Sequence, residues 1–237
     1  MNTKRLLPDA ITSCNLLCGC LAVYGATQGN FEWAFLLILF GAFFDFFDGL
    51  AARTMGVVNN MGIELDSLAD DITFGLAPAM ILSCYLKPLL GWWSFIALLM
   101  AVFSALRLAK FNLDTRQTSS FIGLATPANA IFWGGLCTMP TAFLAGAWMP
   151  WTMLALSLVS CYLLISEIPL FSLKFHDLSW KNNYVKFIFL IGCVILIGFC
   201  IFEAVRYEQF CFALFSGTIC IVWYLIINGV NLLTAKQ

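Results

Sequence analysis

The sequence predicts an all-α, polytopic integral membrane helical bundle, and three observations predict it. The 237-residue chain is 62% hydrophobic and only 11% charged, whereas a water-soluble domain carries about a quarter of its residues charged. Apolar stretches recur from end to end, and a helix of about twenty such residues crosses a hydrocarbon layer about 30 Å thick. The basic residues are also divided unevenly between the segments that join these stretches, as they are in membrane proteins of defined orientation.

About eight transmembrane helices are expected on length and hydropathy. They run over Ile11–Ala26, Phe31–Ala51, Gly62–Leu86, Trp92–Phe111, Leu124–Trp148, Trp151–Phe171, Val185–Phe202 and Phe210–Leu233, one of the later stretches also being readable as two short pieces. The first is read as structure rather than as a cleaved leader, because it contains Asn15 and is followed by further spans. Ahead of it, Lys4, Arg5, Leu6 and Leu7 have the make-up of a short amphipathic segment at the membrane surface. With the N-terminus inside, Lys4, Arg5, Arg53, Arg107, Lys110, Arg116, Lys174, Lys181, Lys186 and Lys236 fall on the cytoplasmic side, and only Lys87 and Arg206 fall outside. That bias predicts both termini in the cytoplasm and a single membrane domain over residues 1–237.

A net charge of −1 gives no reason to expect nucleic acid as a partner. Most of the ten cysteines fall inside apolar stretches and read as small buried hydrophobes. Cys14, Cys18 and Cys20 lie close together, but no paired CxxC spacing for a thiolate metal site is present. The single histidine, His176, reads as a solvated loop residue.

Six of the thirteen acidic residues lie between positions 45 and 71: Asp45, Asp48, Glu64, Asp66, Asp70 and Asp71. Four unpartnered carboxylates at the bilayer centre would cost on the order of 10 kcal/mol. Depth reduces that figure, because Asp45 lies about 21 Å along a helix that starts near Phe31 on the outer side, and so within reach of the inner head groups. Residues three or four apart share a helical face, which pairs Asp45 with Asp48 and Asp66 with Asp70. The short Thr54–Met61 connection brings the two faces together, with Arg53 as a nearby cation. Four converging carboxylates call for added positive charge, and all-oxygen ligation favours magnesium, manganese or calcium over zinc or copper. Gly49 and Gly62, interleaved with the acids, are read as places where a ligand approaches closely; for Ala51, helix packing is the simpler reading.

Asp45, Asp48, Gly49, Ala52 and Arg53, followed after eight residues by Gly62, Asp66 and Asp70, match the pattern D-x-x-D-G-x-x-A-R, spacer, G-x-x-x-D-x-x-x-D at every specified position. This resembles the signature of the CDP-alcohol phosphotransferase (CDP-alcohol phosphatidyltransferase) family. Leu65–Ala79, Arg107–Asn112 and Phe121–Ala128 further resemble one branch of it, the bacterial and archaeal CDP-diacylglycerol–serine O-phosphatidyltransferases. The resemblance covers roughly residues 5–130. Two positions depart from it: Asp9 stands where the family often has Asn, and Ala125 where Pro is usual, the second bearing on the choice of acceptor.

The resemblance implies a six-helix catalytic core over residues 5–175 with additional C-terminal transmembrane helices over 184–233, and transfer of the phosphatidyl group of CDP-diacylglycerol to a small alcohol, L-serine in this branch, with release of CMP. It implies two divalent cations, Mg2+ or Mn2+, with Ca2+ as an alternative occupant. Asp45 and Asp66 would bridge both ions, Asp48 would complete one shell, and Asp70 would bind the other and act as general base. Gly49, Ala52, Arg53, Gly62, Thr12, Asn15 and Asn59 are expected at the CDP-diacylglycerol site, and Arg107, Lys110 and Asn112 at a serine or phosphate site. Arg107 and Lys110 also read as snorkelling anchors at a helix end, and Asp71, off the Asp66–Asp70 face, is given a supporting role. A homodimer surrounded by membrane lipids, in the cell (inner) membrane with its site facing the cytoplasm, completes the expectation.

Two rivals remain. The same chemistry with glycerol phosphate, inositol phosphate or another alcohol differs only in acceptor. An ion- or proton-coupled transporter would also place carboxylates in the membrane, but these cluster at one interface rather than forming a path. A phospholipase-like mechanism needs two catalytic histidines, which this chain has only if a dimer contributes both.

Overall fold

The computed structural model describes residues 6–56, 60–113, 121–141, 146–170 and 180–234. Among them the apolar stretches form α1 (Leu6–Thr27), α2 (Phe31–Met55), α3 (Asn60–Asp70), α4 (Ala77–Leu90), α5 (Leu99–Leu113), α6 (Thr126–Leu136), α7 (Met149–Ile165), α8 (Trp180–Tyr207) and α9 (Cys211–Thr234). Helices dominate because hydrocarbon offers backbone N–H and C=O groups no partner outside their own segment. The only strands among the described residues, β1 (Phe121–Ile122) and β2 (Pro169–Leu170), form a two-residue antiparallel pair, so the all-α expectation holds.

Several boundaries differ from those expected. α1 starts at Leu6 rather than Ile11, because Pro8 is tolerated in a first turn, so Leu6 and Leu7 belong to that helix. Lys4 and Arg5, the basic half of the expected surface segment, lie outside the described residues, as do Asn59, Arg116, Lys174, His176 and Lys236. Residues Met61–Leu113 form one helical run of 53 residues, about 80 Å if straight and too long for one crossing. At Gly91, whose φ is 54°, the chain turns into a 3₁₀ stretch (Gly91–Leu98) and then α5, which comes back to lie against residues 71–76. The expected Gly62–Leu86 and Trp92–Phe111 spans correspond to the two arms of this run. Within the expected Leu124–Trp148 span, the described helix has only 11 residues, while α8 runs longer than expected at 28 residues with a kink at Asn183.

Between α3 and α4, residues Asp71–Leu76 form a π-helical segment. Such widened turns are rare and favour functional sites. It packs against α1, where Gly19 is essential to the approach: a Cβ there would lie 2.9 Å from both N and Cα of Thr73. Thr73 Oγ1 in turn donates to the Asn15 carbonyl at 3.0 Å. The core runs through Phe35, Ile38, Phe74, Leu82 and Trp133, all fully buried, and Trp133 Nε1 donates to Ser160 Oγ at 3.0 Å, fixing α6 to α7.

Trp33, Trp92, Trp93 and Trp148 are exposed. All lie near helix ends remote from the α2–α3 connection, and Trp and Tyr favour the membrane–water boundary. The protein is a multi-pass membrane protein, and among the described residues five helical segments are long and apolar enough to span. Gly19→Ala should destabilise it by about 1–3 kcal/mol through overpacking on Thr73. Thermal unfolding of the detergent-solubilised protein checks this, and an unchanged midpoint would show that α1 and the π segment are not in tight register.

Candidate active site

α2 carries Asp45 and Asp48 toward its cytoplasm-predicted end and stops at Gly56, whose left-handed backbone (φ 63°) lets its N–H close onto the Ala52 and Arg53 carbonyls. The chain then re-enters as α3 with Asp66 and Asp70. Asp45, Asp48 and Asp66 each present a carboxylate oxygen, all within 4.8 Å of one another. Asp70, one turn beyond Asp66, lies within electrostatic range of Asp45, Asp66 and Asp48.

The third participant is α1, which packs along α2 and also touches α3. Thr12 Oγ1 donates to Asp48 Oδ2 at 2.6 Å, and Asn15 Nδ2 donates to Asp70 Oδ1 at 3.2 Å. Both residues are buried. Thus Thr12 and Asn15, expected near the nucleotide, hold one carboxylate from each arm. Thr73, which holds the backbone of Asn15, lies inside the Leu65–Ala79 stretch, but a lone hydroxyl in an apolar run is too common to single out as a site residue.

The arrangement suits divalent cations. Two ionised carboxylates at this separation repel by about 3 kcal/mol at an effective dielectric constant of about 20. Asp66 Oδ1 is buried without a hydrogen-bond partner among the described residues, so a lone pair remains for a ligand. An all-carboxylate donor set fits hard ions. Over Gly49 the space is open: the nearest atom to a Cβ added at this glycine would be Arg53 Nη2, at 3.9 Å, so helix packing does not explain its presence. Arg53 Nε donates to the Gly49 carbonyl at 2.9 Å, placing the guanidinium beside that gap. Ala52 and Gly62 are half-buried nearby in sequence, on α2 and α3.

The second expected group divides. Arg107 is only 8% exposed, donates through Nη1 to Thr126 Oγ1 at 3.4 Å, and feels the charge of Asp70. Lys110 forms an exposed ion pair with Glu167 at 3.2 Å, and Asn112 donates to Ser67 Oγ at 2.8 Å, joining α5 to α3. Arg107 and Lys110 line one narrow pocket with Phe111, Ile122 and residues 164–166. Thr126, the partner of Arg107, lies inside the Phe121–Ala128 stretch, but its sequence neighbours do not mark it as a site residue.

A helical bundle with a carboxylate-lined site between its second and third helices defines the class: a polytopic membrane protein with an acidic, all-oxygen site. The family model for CDP-alcohol phosphatidyltransferase matches residues 5–164, and the chain belongs to that family. Among its relatives are three proteins named CDP-diacylglycerol–serine O-phosphatidyltransferase. That of Bacillus subtilis (strain 168) is 36% identical over 176 residues, covering 72% of this chain and 92% of the relative. That of Methanocaldococcus jannaschii is 31% identical over 193 residues, covering 81% and 84%. That of Mycobacterium tuberculosis (strain ATCC 25618 / H37Rv) is 34% identical over 190 residues, covering 76% of this chain and 65% of that longer relative.

Asp66→Asn should weaken Mn2+ binding about tenfold or more by removing a charged ligand. Titration of the purified protein followed by electron paramagnetic resonance of free Mn2+ measures this without turnover. Equal affinity in the variant would separate Asp66 from any ion site.

Proposed function

We propose that the chain transfers the phosphatidyl group of CDP-diacylglycerol to L-serine, yielding phosphatidylserine and CMP, at a site facing the cytoplasm in the inner membrane. The observation that carries this is the convergence of Asp45, Asp48 and Asp66 beside Asp70, at the spacing of the family signature. The names of the relatives favour serine as acceptor.

In this reading Asp70 accepts the proton of the serine hydroxyl as the oxygen attacks the phosphorus that bears the diacylglycerol. A new P–O bond forms to serine, the P–O bond to CMP breaks, and the electron pair leaves with CMP. Asn15, bonded to Asp70 Oδ1, orients the base and leaves its other oxygen for the acceptor. Thr12 holds Asp48 in the same way. Gly49 leaves room for the diphosphate, and Arg53 offers it a guanidinium. Asp45, Asp48, Asp66 and Asp70 would hold two ions, Mg2+ or Mn2+, which when bound supply the positive charge that balances the diphosphate and the departing CMP. The homodimer belongs to the same proposal.

Purified protein supplied with CDP-diacylglycerol and, separately, serine, glycerol phosphate or inositol phosphate should form phosphatidylserine alone, and only with divalent metal present. Consumption of another acceptor in place of serine would refute the acceptor assignment, and CMP release undiminished in excess chelator would refute the two-ion site. Asp70→Asn should lower turnover by about a thousandfold, within the range for loss of a general base, with CDP-diacylglycerol binding retained. Turnover like that of the unaltered chain would remove Asp70 from the base role.

A further inference from the structure

Beyond the carboxylate triad, the π segment encloses a second set of buried polar groups. Asp71 follows Asp70 directly, so its side chain projects about 100° further around the helix, away from Asn15 and toward Ser104 on α5. A Cβ on Gly75 would lie 2.7 Å from both Asp71 Oδ1 and Ser104 Oγ, so this glycine lets the two side chains close in on the π segment together. They approach closely enough to interact with each other as a hydrogen-bonded pair, and neither has any other partner among the described residues. One turn along α5 stands Arg107, whose Nε is buried and unpartnered. Its Nη1 reaches Thr126, and one turn along α6 on the same side stands Asn129, 1% exposed, with neither Oδ1 nor Nδ2 paired among the described residues.

Buried side-chain polar atoms in folded proteins nearly always find a partner. These side chains lie on the π segment and on α5 and α6, each packed against it, and have polar atoms with no partner beyond this set among the described residues, which makes them candidates for recognising a ligand. The set is mixed in character: a carboxylate, a hydroxyl, a guanidinium and an amide. That matches a small zwitterion rather than a phosphate, which Asp71 would repel.

We propose that Asp71, Ser104, Arg107 and Asn129 bind the amino-acid moiety of the acceptor. Asp71 and Ser104 take the ammonium group, and Arg107 with the Asn129 amide takes the carboxylate. Because Asp70 and Asp71 are consecutive, the hydroxyl of an amino acid held this way is delivered to Asp70, the proton acceptor of the reaction. Lys110 and Asn112 are engaged with Glu167 and Ser67 and are left out of this set. The inference rests on the serine reading above and assigns Asp71 a specificity role rather than a supporting one.

The test compares KM for serine and for CDP-diacylglycerol in the purified full-length chain and its Asp71→Asn, Ser104→Ala and Asn129→Leu variants. It includes 3-hydroxypropionate, which lacks the amino group, as a competing acceptor. Asp71→Asn is expected to raise the serine KM on the order of a hundredfold, as loss of a buried charge partner does. The CDP-diacylglycerol KM should stay within about twofold, and the preference for serine over 3-hydroxypropionate should shrink. Asn129→Leu should raise the serine KM in the same selective way and carries the test if Asp71→Asn does not fold. An unchanged serine KM in the folded variants, or equal rises for both substrates, would overturn the inference while leaving serine transfer intact. Absence of phosphatidylserine formation by the unaltered chain would overturn both.

Discussion

The site depends on the hold that α1 keeps on two carboxylates that would otherwise move apart. Asp48 and Asp70 sit on different helices, and like charges in a low-dielectric layer repel strongly. Thr12 and Asn15, three residues apart on one face of α1, each donate to one of them. Hydrogen bonds to charged acceptors are stronger than neutral ones, and here they come from a helix packed against both arms. Gly19 brings α1 to the backbone of Thr73, and Thr73 closes the link by donating to Asn15. The position of the acids is thus set from the helix that carries none of them.

The bilayer explains why so polar a site is tolerable. α2 begins among aromatic residues suited to one membrane boundary and reaches Asp48 about 25 Å further on at the helical rise per residue, close to the opposite boundary. Carboxylates there face a lower insertion cost than at the midplane, and the space over Gly49 beside them is open. The outward faces carry Phe43, Phe46, Leu68 and similar exposed apolar side chains, which lipid tails rather than water would cover.

Much of this is legible in the chain. Hydropathy locates the crossings, and the spacing of Asp45, Asp48, Asp66 and Asp70 places them on two faces, because helical periodicity is a local property. The 11-residue α6 is not foreseeable, since an apolar run does not mark where its helix ends. The π segment is equally invisible: α1 and α5 both pack against it, and such contacts leave no mark in the local sequence Asp71–Leu76. Thr12 and Asn15 are expected at the nucleotide site, and their bonds to Asp48 and Asp70 are not foreseeable, because a donor in one helix does not announce its acceptor in another.

Membrane class, carboxylate spacing and family signature are all written in patterns a few residues long, and the linear chain carries them without help from folding. Three other features come from the packed bundle alone: α1 clamps the acids, Arg107 turns inward while Lys110 pairs at the surface, and Asp71, Ser104 and Asn129 join Arg107 in a set of side chains with buried polar atoms. They depend on contacts between residues tens of positions apart, and such contacts exist only once the helices have chosen their neighbours and rotations.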